Sequence, residues 1–290
     1  MPPSLGSLVQ YSILGLVAYI LAGAPLLDIL SPHGKPKSEA QILSKDKLEN
    51  LVIPEKGLIC PEHGYKVFVF QRDPLVVYIE GFLSAEESEH IVRMSESKFR
   101  PSTVWTEGVE HFNPEVRNSE KAQLDRDTIV QCIENRALQF QGWRPHLFIE
   151  KLWSQRYVTG GHYRHHYDWS TSTPSSGRVS SFMVYLEANC TGGGTNFPRL
   201  RKPEEKSWCK FVECGEGERE EGLEGVTFKP VKGNAVFWEN LRPDGSGYDE
   251  SWHAGLPVRS GAKIGLNIWS WYQKGYAPEE VAEDVVKSAG

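Results

Sequence analysis

The 290-residue sequence predicts a mostly β domain with supporting helices, its strands closing into a sandwich or barrel, preceded by an N-terminal membrane helix. Three observations carry this. Two amphipathic helical patterns come first. Short apolar or alternating runs between Gly- and Pro-rich breaks then dominate, the order expected when helices pack against a closed or two-layered sheet. One long uncharged apolar stretch stands near the N-terminus. The 27 Gly, 9 Trp and 11 Tyr lean the same way. A hydrophobic share of 39% and a charged share of 24% describe an ordinary folded chain. The net charge of −6 implies no basic face, which argues against a nucleic-acid partner.

Val9 to Leu27 is nearly all apolar and carries no charge, just long enough for a membrane span. A signal-anchor helix, a cleaved signal peptide ending at Ala22-Gly23-Ala24 and a buried soluble helix all fit. Pro25 disfavours cleavage, so residues 1–32 are assigned to a signal-anchor segment. Lys35, Lys37, Lys45 and Lys47 follow it and no Lys or Arg precedes it, so the positive-inside rule points the body towards the cytoplasm. Residues 33–66, with Pro32 just before them and Pro36 and Pro54 among Lys, Glu and Ser, read as a linker.

The domain is expected over 67–275. Leu75 to Ile79 is a β-rich run. Ser84-x-x-Glu87 is a capping box opening a helix that carries Ile91, Val92 and Met94. Asp125 to Phe140 reads as a second amphipathic helix with Ile129, Val130, Ile133 and Ala137 on one side. Strands are expected over Leu147 to Val158, Val179 to Leu186, Val226 to Val231, Ala235 to Trp238 and Lys263 to Trp271. Residues 213–225, rich in Glu and Gly, read as an exposed loop, and 276–290 as a solvated helical tail. No internal repeat is found. Cys60, Cys132, Cys190, Cys209 and Cys214 make an odd set with no Cys-x-x-Cys pattern; Cys209 and Cys214 flank a short loop and either bridge in an oxidising compartment or stay free.

The chemistry is carried by His166-Tyr167-Asp168, then His253, then Lys263 ten residues further on. A strand sends alternate side chains to one face, so His-x-Asp presents an imidazole and a carboxylate to one point. With a second imidazole this is the ligand set of a non-haem Fe(II) oxygenase, which leaves sites for a bidentate 2-oxo acid and dioxygen. Lys263 then reads as a fixed cation for an anionic co-substrate. His162 and His165 have the wrong phase for the ion. No His-Glu-x-x-His pattern supports a zinc hydrolase.

The surrounding runs are Tyr157-Val158-Thr159-Gly160-Gly161-His162-Tyr163, Gly192-Gly193-Gly194-Thr195-Asn196-Phe197-Pro198, Lys232-Gly233-Asn234-Ala235-Val236-Phe237-Trp238 and Ser251 to Lys263. From about Pro74 to Gln273 the chain resembles the catalytic domain of prolyl 4-hydroxylases, within the Fe(II)- and 2-oxoglutarate-dependent dioxygenases. The resemblance implies a double-stranded β-helix, or jelly roll. It implies Fe(II), 2-oxoglutarate and dioxygen as reactants, with ascorbate. It makes His166, Asp168 and His253 the iron ligands, and Lys263, Tyr157 and Thr195 the 2-oxoglutarate contacts. Glu150, Tyr163, Arg178 and Trp269 match peptide-contacting positions, although Glu150 with Arg178 also reads as a structural ion pair and Trp269 as core.

Two positions depart from the family: Gly194 stands where many members carry Glu, and Trp271 where some carry His. The implied reaction is hydroxylation of an unactivated C–H, foremost C4 of proline in a peptide or protein; the alternative is the same chemistry on a free amino acid or small natural product. A non-catalytic module that kept the fold is opposed by the intact His166, Asp168, His253 and Lys263. The resemblance implies a single-pass protein of the endoplasmic reticulum with its domain in the lumen, against the lysine bias. The chain ends in no retention tetrapeptide, and Asn189-Cys190-Thr191 fits a glycosylation sequon.

Overall fold

A computed structural model describes residues 45–106, 109–169, 172–215, 223–276 and 278. Its helices are α1 (Lys45–Glu49), α2 (Ala85–Glu96) and α3 (Thr128–Phe140). In chain order its strands are β1 (Leu51–Val52), β2 (Lys66–Arg72), β3 (Leu75–Glu80), β4 (Arg100–Pro101), β5 (Val104–Thr106), β6 (Val109–His111), β7 (Arg117–Asn118), β8 (Glu120–Gln123), β9 (Leu147–Glu150), β10 (Trp153–Val158), β11 (His162–His166), β12 (Ser176–Gly192), β13 (Thr195–Phe197), β14 (Val226–Phe228), β15 (Ala235–Glu239), β16 (His253–Gly255) and β17 (Val258–Gln273).

Among the described residues the major sheet runs β2-β3-β15-β12-β17-β10-β8-β4, with β9 and β1 added beside β17. The minor sheet runs β14-β13-β16-β11-β7. A separate two-stranded sheet joins β5 to β6. The described chain is thus mostly β with few helices, and its major and minor sheets are what a jelly roll requires. Its spine is the antiparallel pair β12 and β17, each of which alternates its side chains between two environments. Phe182, Val184 and Leu186 of β12 and Ile264, Leu266 and Ile268 of β17 pack under the helices against Ile91, Val130, Ile133 and Ala137. Tyr185 instead turns towards the minor sheet, where Tyr78, Phe197, Phe228 and Trp238 make a second, aromatic core. A sheet buried on both faces explains why these runs read as continuous rather than alternating hydrophobics.

The predicted capping box forms: Glu87 N donates to Ser84 Oγ at 3.1 Å and Ser84 N to Glu87 Oε2 at 2.9 Å. Such a cap contributes about 1 kcal/mol. α3 begins at Thr128 rather than at Asp125, because the Asp127 carboxylate accepts from Val130 N at 2.9 Å and so caps the helix there. The run expected over Leu147 to Val158 breaks into two strands. Lys151 N leaves the ladder to donate to Asn50 O at 2.8 Å, and Leu152 O accepts from Leu124 N at 3.1 Å.

The largest correction concerns the linker. The described residues from Lys45 on belong to one compact unit. α1 and β1 lie within the stretch read as linker, and β1 pairs with β9 through Leu51↔Glu150 and Val52↔Ile149. Cys60 is bonded to Cys132 of α3. Leu51 packs with Phe148 and Trp271 in a small apolar cluster, with Leu48 against it. The Lys, Glu and Pro content that suggested a linker belongs to a segment held by strand pairing and a disulfide rather than by its own hydrophobic periodicity. No described helix is long and apolar enough to cross a membrane. The proposed signal-anchor residues 1–32, residues 33–44 of the linker, most of the loop read at 213–225 and nearly all of the tail lie outside the described residues.

Candidate active site

The cavity of about 630 Å³ between the two sheets gathers nearly every residue singled out above. His166 ends β11 and His253 begins β16, and the antiparallel register sets them directly opposite each other. Asp168 lies in the turn just past β11 rather than on the strand, since the ladder ends at His166; it still reaches the same point. The side-chain ligand atoms of His166, Asp168 and His253 all lie within 4.8 Å of one another. His166 Nε2 is 3.7 Å from Asp168 Oδ1 and His253 Nε2 is 4.0 Å from Asp168 Oδ2.

The orientation of each ring is set from behind. His166 Nδ1 lies 2.8 Å from Arg164 O, and His253 Nδ1 lies 2.8 Å from Ser251 O. A carbonyl only accepts, so both rings carry their proton on Nδ1 and turn the Nε2 lone pair inward. Asp168 Oδ2 accepts from Ser181 Oγ at 2.7 Å and Trp269 Nε1 at 3.1 Å, which leaves Oδ1 without a competing donor. Burial, with the neighbouring His253, pushes His166 down to about 3; burial likewise lowers His253. Burial acts to raise Asp168, but the two imidazoles and Arg178 outweigh it and hold the carboxyl below its ordinary value. Two neutral imidazoles and one ionised carboxylate, each fixed by an outer hydrogen bond, fit an Fe(II) ion with open positions.

At the far end β10 and β17 set Tyr157 opposite Lys263. Lys263 is 1% exposed, its Nζ lies 4.7 Å from the centre of the Tyr157 ring, and it donates to Gly193 O. It forms no ion pair among the described residues, and burial pulls its ammonium down to about 8. An enclosed ammonium with no counter-ion and two spare N–H donors suits a carboxylate ligand. Thr195 Oγ1 stands 2.8 Å from Tyr185 OH, a buried tyrosine that sequence reading did not single out and whose proton burial holds in place. Gly193 adopts φ +71°, the left-handed backbone region that glycine enters freely, and so turns its carbonyl onto Lys263. The absence of a side chain at Gly194 has a steric reason, because a Cβ there would meet Thr227 Cγ2 at 2.4 Å.

The opposite wall holds Tyr163, Arg178, Trp269, Trp271 and Lys47. Tyr163 stacks on His166 with centroids 3.7 Å apart, and Arg178 lies 3.9 Å over Trp269. Glu150 requires a correction: it is 1% exposed and stands behind the wall, not in it. Its carboxylate accepts from Arg178 Nε at 2.6 Å and Nη2 at 3.0 Å, from Lys47 Nζ at 2.9 Å and from Asn50 Nδ2 at 3.0 Å. Burial acts to raise Glu150, yet Arg178 and Lys47 keep it below its usual value. The carboxylate is therefore saturated by protein donors, and it aims Arg178. Lys47 was missed because it lies in the supposed linker. His165 lines the cavity and pairs with Asn196 Oδ1 at 2.9 Å, while His162 is taken up by the carbonyls of Gly160 and Glu115.

Comparison with known proteins agrees with this geometry. Residues 152–271 match the family described as the 2OG-Fe(II) oxygenase superfamily, 2OG being 2-oxoglutarate. Prolyl 4-hydroxylase 5 of Arabidopsis thaliana is 31% identical over 212 residues, covering 70% of this chain and 70% of that protein. Probable prolyl 4-hydroxylase 7 of the same plant is 28% identical, with 68% of this chain and 62% of that protein covered. Prolyl 4-hydroxylase subunit alpha-3 of Mus musculus is 31% identical over 68% of this chain, but the match spans only 33% of that longer protein. Among solved structures, the viral collagen prolyl hydroxylase of Paramecium Bursaria Chlorella virus-1, in its 2OG complex, superposes with a TM-score of 0.51 at 26% identity. That match covers 68% of this chain and 96% of the viral one. With the His-Asp-His set, the enclosed lysine and the two-sheet fold in place, the chain belongs to the prolyl 4-hydroxylase family of 2-oxoglutarate- and Fe(II)-dependent dioxygenases.

Proposed function

We propose that this enzyme hydroxylates C4 of proline within a peptide or protein. The observation that carries the reading is the single cavity in which the His166-Asp168-His253 set lies between an enclosed lysine and a wall of tyrosine, tryptophan and arginine. In this reading His166, Asp168 and His253 hold Fe(II). Bound iron, 2-oxoglutarate and dioxygen supply the oxidation, with succinate and carbon dioxide released and one oxygen atom entering the substrate C–H. The chain supplies position. Lys263, Tyr157 and Thr195 hold the distal carboxylate of the co-substrate, a charge-assisted contact in a site shielded from water. Trp269 fixes Asp168 through its indole N–H and carries the Arg178 guanidinium over its ring. Tyr163, Trp269 and Trp271 suit a pyrrolidine ring, and the Arg178 guanidinium, aimed by Glu150, suits the flanking peptide carbonyls.

The test is turnover of the full-length chain with Fe(II), 2-oxoglutarate and ascorbate, on proline-containing peptides beside free amino acids. Peptide-dependent succinate, with one oxygen atom added at proline, is the expected result. Succinate that rises only with small molecules would replace this reading with the small-molecule alternative.

On location the proposal is the endoplasmic reticulum, anchored by Val9 to Leu27, with the domain in the lumen. The support is the pair of disulfides Cys60–Cys132 and Cys209–Cys214, which need an oxidising compartment. Asn189, in the sequence's single Asn-x-Ser/Thr, is exposed and serves as a reporter. Translation with microsomes should attach one glycan that Asn189→Gln abolishes; full protease sensitivity of the domain outside intact microsomes would reverse the assigned orientation.

A further inference from the structure

We propose that the cavity selects a peptide bearing an acidic side chain next to the target proline, and that Lys47 is the residue that meets this carboxylate. The inference rests on the peptidyl-proline reading and narrows it to a substrate class. The chain as a whole carries a net charge of −6, yet the charged side chains lining the cavity are Lys47, Arg117, Lys121, Arg178 and Lys263 against Asp168 alone. A cation-lined cleft in an acidic protein focuses potential onto whatever enters it.

Three of these cations are already committed. Lys263 lies at the co-substrate end. Lys121 pairs with Glu110 at 3.1 Å. Arg178 takes both oxygens of Glu150. That one carboxylate must also serve Lys47, so two positive charges share one negative charge. Arg117 is a second uncompensated charge: its Nε donates to Ser119 Oγ at 3.2 Å and its guanidinium lies 4.6 Å over Tyr163, with no ion pair among the described residues.

Lys47 is placed rather than loose. Its Nζ sits 3.8 Å above the Trp271 ring, and α1 leads into β1, which is paired to the strand that carries Glu150. Burial lowers its ammonium despite Glu150, so a further carboxylate would restore what burial removes. Of its three N–H groups one is spent on Glu150, and the others are available to an incoming anion. With Lys47 seated over the Trp271 ring, the cavity wall here offers an ammonium backed by an aromatic, a match for Asp or Glu next to the proline.

The experiment compares three proline peptides that differ only in flanking Glu, Gln or Lys, using the full-length chain. KM and direct binding of labelled peptide are measured at low and high salt. The Glu peptide should bind about fivefold more tightly than the Gln peptide, and the Lys peptide correspondingly less tightly. The spread should narrow with salt. Lys47→Met keeps an apolar stem on Trp271 and should erase the Glu preference; Lys47→Glu should reverse it. Equal KM values for all three peptides would overturn the proposal, as would a Glu preference that survives in Lys47→Met. A purely structural Lys47 would weaken all three peptides alike, and that result also counts against it. Failure of every peptide to yield hydroxyproline would remove the prolyl reading itself, whereas hydroxylation without charge preference removes only the acidic one.

Discussion

The two ends of the cavity are built in different ways. At the end with Lys263, Thr195 and the His-Asp-His set, all but Asp168 come from regular strands, and Asp168 sits in the turn just past β11; each side chain is held by a backbone carbonyl, a buried hydroxyl or, for Asp168, also an indole N–H. At the end with Lys47, Arg178 and Trp271, the arginine and tryptophan face each other across β12 and β17, but Lys47 is brought in from a distant segment, tied by the β1–β9 pairing, by Glu150 and by the Cys60–Cys132 bond. The first end can be disturbed only by changing the chemistry at a point. The second can also be disturbed by loosening the ties.

Breaking the metal end should have the largest effect. Asp168→Ala removes the one anionic ligand and leaves Ser181 and Trp269 without their acceptor; turnover should fall about a thousandfold or more. Calorimetric titration with Fe(II) or Mn(II) in the absence of oxygen should show metal affinity lost in step. Retained affinity would mean that the carboxylate ligand is another group.

The two ends should also differ in how far they depend on the fold's stability. Paired Cys60→Ser and Cys132→Ser substitutions open a 72-residue connection, and loop-closure entropy puts the loss at about 4 kcal/mol. Denaturant midpoints check it. At temperatures where the variant stays folded, peptide KM should rise while the 2-oxoglutarate KM stays put. Equal change in both would mean that the two ends are not separable.

Glu150→Gln should cost about 3 kcal/mol, because it leaves Arg178 and Lys47 facing each other without their shared anion. Thermal unfolding and peptide KM are the readouts. Lys263→Ala should raise the 2-oxoglutarate KM about thirtyfold, the loss of one charge-assisted contact. The lysine also sets a pH dependence. Its ammonium is pulled down to about 8, so the cation is present below that pH and lost above it. For wild type kcat/KM for 2-oxoglutarate should fall as pH rises past about 8, whereas Lys263→Arg should hold a flatter profile. A wild-type profile that stays flat to pH 10 would show that the charge is not what binds.

What the sequence revealed follows the same division. His166, Asp168, His253 and Lys263 are readable because a two-residue spacing and a ten-residue interval are local properties, although Asp168 reaches the site from the turn past β11 rather than by strand alternation. The helix carrying Ile91 was readable from Ser84 and Glu87 for the same reason. For Glu150 the ion pair with Arg178 was one of two readings open to the sequence; that Lys47 and Asn50 converge on the same carboxylate is something no local pattern encodes. Lys47 was hidden by the composition of its neighbourhood, and the pairing of Cys60 with Cys132 by the distance between them. The break at Lys151 was invisible because the run on either side has uniform β character, and only the competing bond to Asn50 ends it.

Strand β17 also acts as a gauge. Lys263, Asn267, Trp269 and Trp271 are odd-numbered marks on one face of it, and all four open onto the cavity. At about 3.3 Å per residue the marks at 263 and 271 stand about 26 Å apart. No loop lies between them, so the reach from co-substrate clamp to substrate wall is a count of residues and nothing else. An inserted residue would turn every later mark to the helix side. Even the blank graduation at Gly265 is filled from across the sheet, since a Cβ there would come within 2.9 Å of Met183 Sδ, which would have to swing aside. On this scale 271 is a mark that can change without touching the metal site, whereas 269 is bound to it, because the Trp269 indole holds Asp168.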